Sequence, residues 1–472
     1  MAGIYRFINT NIPTVGCNLR CEYCYIKQRG NENTMLKIDN SKQLFRYSVE
    51  HMIKALTVKR LGGVCMFNIS GSGETLLCPE IVEITEGLLK NGHYVALINN
   101  CTIRSRIEQL AKLPPDYRAR IFFKVSFHYR ELKRKNMLES FANNVHLLKN
   151  SGIGYSIEIV SNDYVLEELE ELKEFSISYF GALPHVLTGR DEQIVGTYPR
   201  IQTRLSPEEY NSVWSSFDSD LFSYQQKAYD LPHSEFCYAG VYTGTLLLET
   251  GDFHPCPGTK KVTNFFEDID NHIEFVPMAH SCPFHHCFCG FFLHVLAGVS
   301  REYDPDVYFY QFRDRLCPDN STWLTPTIRE AFSHRCSEYH QPYSTDKAYY
   351  IDLLMRKIYK GINPSPEEET ELVRIVEKYL TQKGYRKIAI YGMGLIGEWL
   401  IKLLQVANID VVCGIDRRWA EIKSNIAIQA PEDVIPSADA VIVSVYAEFT
   451  NIAPLLRKKN IMPIISITEV VF

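Results

Sequence analysis

Long apolar runs are missing from this chain; none approaches the ~20 residues that a helix needs to span a bilayer. The N-terminus, Met-Ala-Gly-Ile-Tyr-Arg-Phe, lacks a basic segment followed by an apolar core, which argues against export. Charge is not gathered into a tail either. The 50 Lys and Arg against 56 Asp and Glu leave a formal charge of −6, spread along the chain. That balance argues against nucleic acid as the main partner and leaves room only for a local basic patch. No internal repeat or low-complexity segment is visible. A cytoplasmic protein with no membrane partner is the expectation.

What is present is ordinary for a globular chain in all but its cysteines. With 472 residues, 46% of them hydrophobic and 22% charged, two or three domains with sizeable cores are expected. Fourteen cysteines in a chain that is not exported point to metal rather than disulfides. Cys17, Cys21 and Cys24 cluster, and seven more fall between 237 and 336. Cys65, Cys78, Cys101 and Cys413 are scattered and read as buried thiols.

From 1 to about 187 strands alternate with helices. Apolar, β-rich runs at Gly63–Ile69, Tyr94–Ile98, Ile121–Phe127, Tyr155–Val160 and Ala182–Leu187 are separated by helical stretches such as Pro79–Lys90 and Asn136–Asn150. With the strand before Cys17 this implies βαβ units, a parallel sheet and a partial (β/α)6 barrel of the TIM type, whose chemistry lies at the C-terminal strand ends. The fold class is therefore α/β. Residues 1–190 are expected to form the barrel, 191–236 a helical connector, 237–340 a cysteine-rich domain, 341–383 a helical bridge and 384–472 a small Rossmann-like α/β domain. Ser206-Pro207-Glu208-Glu209 and Ser365-Pro366-Glu367-Glu368 are capping boxes with proline at the first helical position, and the second opens a helix near 366–383.

Residues 17–24, Cys-Asn-Leu-Arg-Cys-Glu-Tyr-Cys, hold three thiols in a Cys-x3-Cys-x2-Cys array. Three thiolates this close can hold three irons of a [4Fe-4S] cube and leave the fourth iron without a protein ligand. A zinc knuckle or a structural iron–sulfur site is the alternative. The array, with the aromatic Tyr23 before its last cysteine, resembles the motif of the radical SAM superfamily. That resemblance implies an S-adenosylmethionine-binding cluster, reductive cleavage of the sulfonium to a 5′-deoxyadenosyl radical, and abstraction of a hydrogen atom from substrate. At the next strand end, Ser70-Gly71-Ser72-Gly73-Glu74-Thr75 resembles the family's Gly-Gly-Glu loop, which meets the cofactor's amino group. Glycine permits close backbone approach, and a carboxylate suits an ammonium. Ser126, ending the fourth strand, stands where the family often places a ribose-contacting group; the alternative is a plain strand-end serine. His128 reads as a core histidine, and Asn99 and Asn100 as residues lining the site.

Further on, Cys237, then Gly251-Asp252 and Pro255-Cys256, resemble the first half of the SPASM extension, which twitch domains share. The resemblance implies one or two auxiliary [4Fe-4S] clusters, with a hairpin between the cysteines over Val241–Leu248. The later cysteines, Cys282-x4-Cys287-x1-Cys289, then Cys317 and Cys336, match the family's total but not its spacing. The alternative is zinc, since Cys282, His285, His286, Cys287 and Cys289 contain enough Cys and His for a tetrahedral site.

Lys387–Tyr391 leads into Gly392-Met-Gly394-Leu-Ile-Gly397, and Ile409–Ile415 ends at Asp416. Strand, Gly-x-Gly-x-x-Gly, helix, and a carboxylate about 20 residues on form the pattern of a dinucleotide fold that takes a nucleotide or NAD. The alternative is that the glycines only permit close packing. The module resembles Rossmann-like modules of sugar-nucleotide and polysaccharide-pathway proteins.

Together these features imply a radical SAM enzyme acting on a sugar, nucleotide-linked or other small molecule. It would be fed by a one-electron donor such as flavodoxin or ferredoxin. A SPASM-type maturase of peptides or proteins is the second reading; the first expected strand, so close to Met1, is expected to leave no room for a peptide-binding domain before it. A non-catalytic iron–sulfur or zinc scaffold that binds a nucleotide is the third.

Overall fold

The computed structural model describes residues 3–14, 16–28, 44–193, 200–229, 231–284, 287, 292–301, 307–459 and 463–471. His285, His286 and Cys289 lie outside the described residues. Packing divides the chain into two compact units. The first comprises Met1–Ser234, Tyr242–Thr250 and Phe284–His340; the second comprises Glu235–Val241, Gly251–Pro283 and Gln341–Phe472. Among the described residues no helix is long and apolar enough to cross a membrane.

In the first unit six strands run parallel and in chain order: β1 (Arg6–Ile12), β2 (Cys65–Gly71), β3 (Tyr94–Asn99), β4 (Ile121–Ser126), β5 (Gly154–Val160) and β6 (His185–Leu187). The parallel α/β sheet is consistent with the core of a partial barrel. Strand ends differ by a few residues from those expected, most at β6, which is shorter than Ala182–Leu187. The strand Thr243–Leu247 pairs in parallel with β1, Phe7 opposite Thr243, and so joins the main sheet. Periodicity alone cannot give that partner.

Helices cover the sheet with their apolar stripes. Ile81–Lys90 buries Ile81, Ile84, Leu88 and Leu89; Leu138–Asn150 buries Phe141, Ala142, Val145 and Leu148. The 3–4 spacing of these residues is what places them on one helix face. Both capping boxes form, with Glu209 N–H donating to Ser206 Oγ at 3.2 Å and Glu368 N–H to Ser365 Oγ at 3.2 Å. Phe127 lies between Ser126 and His128 and is buried, its ring stacked on Phe141 at 5.0 Å and edge-on to Phe180 at 5.6 Å. Phe127→Ala is expected to cost about 3–5 kcal/mol. The check is a lowered urea midpoint for the first unfolding transition.

The second unit holds a five-stranded parallel sheet in the order Ile428–Gln429, Asp410–Ile415, Lys387–Tyr391, Ala440–Val443, Ile464–Ser466. Alternate residues of Lys387–Tyr391 enter different cores: Ile388 and Ile390 pack with helix residues Leu400 and Leu404, while Ala389 and Tyr391 pack with Ile452 and Leu456. Both faces are covered, as parallel sheets require.

Candidate functional site

A cavity of about 590 Å3 opens in the first unit, lined by residues at or just beyond the C-terminal ends of its parallel strands. Cys17, Cys21 and Cys24 follow β1, Ser70–Thr75 run from the end of β2 into the turn after it, Asn99 and Asn100 stand at the end of β3, Ser126 and His128 at and just past the end of β4, Val160 and Leu187 end β5 and β6, and Thr188 and Arg190 follow β6. The helix Asp220–Ala228 adds Tyr224, Gln225 and Ala228. Tyr23, Gly71, Ser72, Gly73, Glu74 and Ser126 are thus gathered around one space with the three thiols.

The cysteine loop is held by partners far away in sequence. Glu131, on the helix Tyr129–Arg134, accepts the backbone N–H of Arg20 at 2.9 Å and is itself gripped by Arg134 through two bonds of 2.8 Å. Asn100 donates through Nδ2 to Asn18 Oδ1 at 2.8 Å, and its Oδ1 accepts from Thr102 Oγ1 at 2.6 Å. Asn18 Nδ2 in turn donates to Thr102 Oγ1 at 2.7 Å, closing a ring that ties the loop to the end of β3. Tyr23 and His128 share a hydrogen bond of 2.7 Å. Burial pushes the His128 ring down to about 4, so the imidazole is neutral at pH 7.

Glu74 is 2% exposed. Its carboxylate accepts the backbone N–H groups of Leu76 at 2.9 Å and Asn100 at 2.7 Å. Burial pushes it up to about 7, against the pull of those two donors. It has lone pairs left for a third donor. Ser70-Gly71 and the turn after it therefore present a buried carboxylate that titrates near neutrality beside three thiols.

No described cysteine is in a disulfide. Burial raises the Cys17 thiol to about 11 and pushes Cys21 up as well. Among the described residues no three Cys, His, Asp or Glu side chains converge on a single-ion site. A cube seats each thiolate on a different iron, so its ligands stand wider apart than those of one mononuclear ion. Three thiols around one cavity fit the cube's donor set.

The other cysteines are dispersed. In the second unit Cys237 and Ala279 exchange backbone hydrogen bonds of 3.1 and 3.0 Å, which brings Cys237 near the segment that ends in Cys282. A Cβ on Gly240 would come within 3.0 Å of Pro255 Cβ, so the turn after Cys237 also meets the neighbour of Cys256. In the first unit Cys287 lines the cavity. Cys317 Sγ lies 3.4 Å from the Phe180 carbonyl, ahead of β6, and Cys336 is buried close to Cys65 at the start of β2. These two stand at the opposite strand ends from Cys17, and the structure does not bring them together.

In the second unit Gly392 has φ 92°, and a Cβ on Gly397 would lie 2.0 Å from the Gly392 carbonyl oxygen. Both glycines are required by packing. At Gly394 a Cβ would meet nothing within 4 Å. The Asp416 carboxylate accepts the N–H groups of Met393 and Arg418, each at 2.8 Å, and so braces the glycine loop.

Residues 11–176 match the family model described as Radical SAM superfamily. The match supports a radical SAM domain in this segment. A search of the curated proteins finds no significant match. Among solved structures the chain is similar to SuiB of Streptococcus suis bound to S-adenosylmethionine, at 18% identity over 56% of this chain and 65% of that one, with a TM-score of 0.38. It therefore spans less than two thirds of that chain. It is also similar to native anSMEcpe with bound AdoMet (16% identity, 55% and 78% coverage, TM-score 0.38) and to BtrN in complex with AdoMet and 2-DOIA (11%, 56% and 80%, TM-score 0.23). Likenesses of this degree fix neither substrate nor reaction.

Proposed function

We propose that the chain is a radical SAM enzyme that takes a hydrogen atom from a small-molecule or peptide substrate held in the cavity. Cys17, Cys21 and Cys24 would hold a [4Fe-4S] cluster whose open iron takes S-adenosylmethionine. When bound, that pair supplies a 5′-deoxyadenosyl radical on one-electron reduction by a donor such as flavodoxin or ferredoxin in the cytoplasm. The observation that carries this reading is the gathering of three thiols and a buried carboxylate, Glu74, at the strand ends of the matched segment. Glu74 would accept the cofactor's ammonium, Gly71, Ser72 and Gly73 would let it approach the backbone, and Ser126 would meet its ribose. Tyr23, fixed by neutral His128, would brace the loop of the last cysteine. The test is anaerobic incubation of reduced full-length protein with S-adenosylmethionine. Release of 5′-deoxyadenosine is expected; none from fully iron-loaded protein would defeat the reading.

An auxiliary cluster in the second unit is proposed on Cys237, Cys256 and Cys282, which sit on segments that meet one another. Cys317 and Cys336 are left out of it as buried thiols, and Cys287 and Cys289 are not needed for it. Iron should persist in a chain lacking all three of Cys17, Cys21 and Cys24, and should fall further with Cys237→Ala.

The parallel sheet order in the second unit, with Lys387–Tyr391 beside Ala440–Val443, is that of doubly wound folds that bind nucleotides where the order reverses. A nucleotide or NAD at Gly392, Gly394 and Gly397, with Asp416 at the ribose, is the reading this supports. Gly394 separates it from pure packing. Gly394→Ala should leave the melting temperature unchanged and abolish nucleotide binding in a titration, whereas Gly397→Ala should destabilise by about 1–3 kcal/mol through its clash with Gly392. Nucleotide affinity equal in Gly394→Ala and wild type would leave the packing role alone standing.

A further inference from the structure

The cysteine loop borders a second hollow besides the cavity. This recess, of about 250 Å3, is lined by Arg20, Cys21, Tyr23, Arg130, Arg134 and Tyr164, together with the carboxylates Glu22 and Glu131. Arg20, Cys21 and Tyr23 also line the cavity, so the loop is shared by the two spaces. A thiol proposed as a cluster ligand therefore stands at the recess as well as at the substrate space.

The recess differs in charge from the chain that carries it. Three guanidiniums against two carboxylates leave it at +1, on a chain of formal charge −6. Glu131 is turned inward, where its 7% exposed side chain accepts the Arg20 N–H at 2.9 Å. The cations stand outward. Half of the Arg130 side chain and 61% of that of Arg134 are exposed, and exposed Lys135 follows them in the chain. Of the two recess carboxylates only Glu22 is exposed; it pairs with Arg130 at 3.6 Å, and exposed pairs of this kind are worth little and re-form readily with a partner. Arg130 also donates to the Tyr164 carbonyl, which holds it at the rim. A basic patch on an acidic chain orients an acidic visitor, since the remainder of the surface is negative on balance.

The radical SAM reading needs one electron from outside for each cleavage of S-adenosylmethionine. A recess, rather than a flat face, suits a carrier whose redox group protrudes. Tyr164, 40% exposed, offers an aromatic ring at its edge.

We propose that the recess beside Cys21 is the docking site of an acidic flavin carrier of the flavodoxin class, whose carboxylates meet Arg20, Arg130 and Arg134. This rests on the radical SAM reading of Cys17, Cys21 and Cys24. One electron passes from the reduced flavin to the cluster; the flavin is oxidised by that electron, and no bond forms or breaks.

Arg130→Glu is the informative variant, because Arg130 takes no part in the Glu131 bonds that fix the loop. Reduced flavodoxin is mixed anaerobically with iron-loaded full-length protein, and samples are frozen over time. Electron paramagnetic resonance then follows the component that a chain lacking Cys17, Cys21 and Cys24 does not show. At low ionic strength this component should appear about tenfold more slowly in Arg130→Glu than in wild type, whereas Arg130→Lys should stay near wild type. The gap should close with salt, as the Debye length falls from about 30 Å at 0.01 M to about 3 Å at 1 M. Photoreduced 5-deazariboflavin, small and uncharged, should reduce all three proteins at one rate.

Equal flavodoxin rates in wild type and Arg130→Glu would overturn the proposal. Slowing by the same factor with 5-deazariboflavin would also overturn it, by assigning Arg130 to the integrity of the loop. A ferredoxin that outpaces flavodoxin would remove the flavin assignment. Loss of flavodoxin reduction in Cys237→Ala, with none in Arg130→Glu, would move electron entry to the auxiliary cluster and sink the docking site. Absence of the component with 5-deazariboflavin would remove the radical SAM reading itself, and the docking site with it.

Discussion

A Cys21→Ala chain is expected to lose 5′-deoxyadenosine release altogether while staying folded. Loss of an outer partner of a metal ligand typically costs about 10–100-fold, so loss of a ligand should exceed that. The loop itself should survive, because its anchors are elsewhere: Glu131 holds the Arg20 N–H, and the Asn18–Asn100–Thr102 ring holds its start. Iron measured on the same sample should drop by the share of one cluster, with the circular dichroism unchanged. Glu131→Gln, which keeps an acceptor but loses the grip of Arg134, should show the smaller effect, about 10-fold. Wild-type release from Cys21→Ala would remove the cysteine array from the chemistry.

The second large effect concerns pH and Glu74. Its carboxyl is raised to about 7 by burial, so it is neutral below that pH and ionised above it. An ionised carboxylate attracts the cofactor's ammonium and a neutral one does not. Affinity for S-adenosylmethionine should therefore be present above about pH 7 and lost as pH falls through it, by up to about tenfold per unit. A bound ammonium favours the ionised form and moves the midpoint lower in the complex than in the free protein. Glu74→Gln should bind weakly at every pH and flatten the profile between pH 5.5 and about 8.5, since it removes the titrating group. Equilibrium dialysis across that range is the measurement. A wild-type affinity that does not change with pH would show that Glu74 is not the ammonium's partner.

Local signals made part of this molecule legible. The three thiols, the glycine-rich turn before Glu74 and both capping boxes are short-range patterns, and the parallel strands followed from β-rich runs spaced by helices. What holds the site together was not legible. Asn100 meets Asn18 across 82 residues, Glu131 meets Arg20 across 111, and Arg313 meets Glu158 across 155. None of these pairs leaves a periodic trace, because each depends on which strand ends lie side by side. Thr243–Leu247 shows the same limit: its β character was plain, its partner β1 was not. Cysteine spacing was the weakest guide, since Cys317 and Cys336 share a stretch of sequence with Cys282 yet pack beside Phe180 and Cys65. In the glycine motif the sequence could not separate packing from binding. The structure assigns Gly392 and Gly397 to packing and leaves open space beside Gly394.

The central claim is that Cys17, Cys21 and Cys24 hold a cluster with an iron open to S-adenosylmethionine. Electron paramagnetic resonance of the reduced full-length protein, recorded with and without S-adenosylmethionine, tests it most directly. The account predicts a component of the cluster signal that changes on addition of the cofactor, persists in Cys237→Ala and disappears in the chain lacking the three cysteines, leaving there only the signal of the auxiliary cluster. A signal no part of which responds to S-adenosylmethionine, or a responsive component that survives loss of all three, would contradict it.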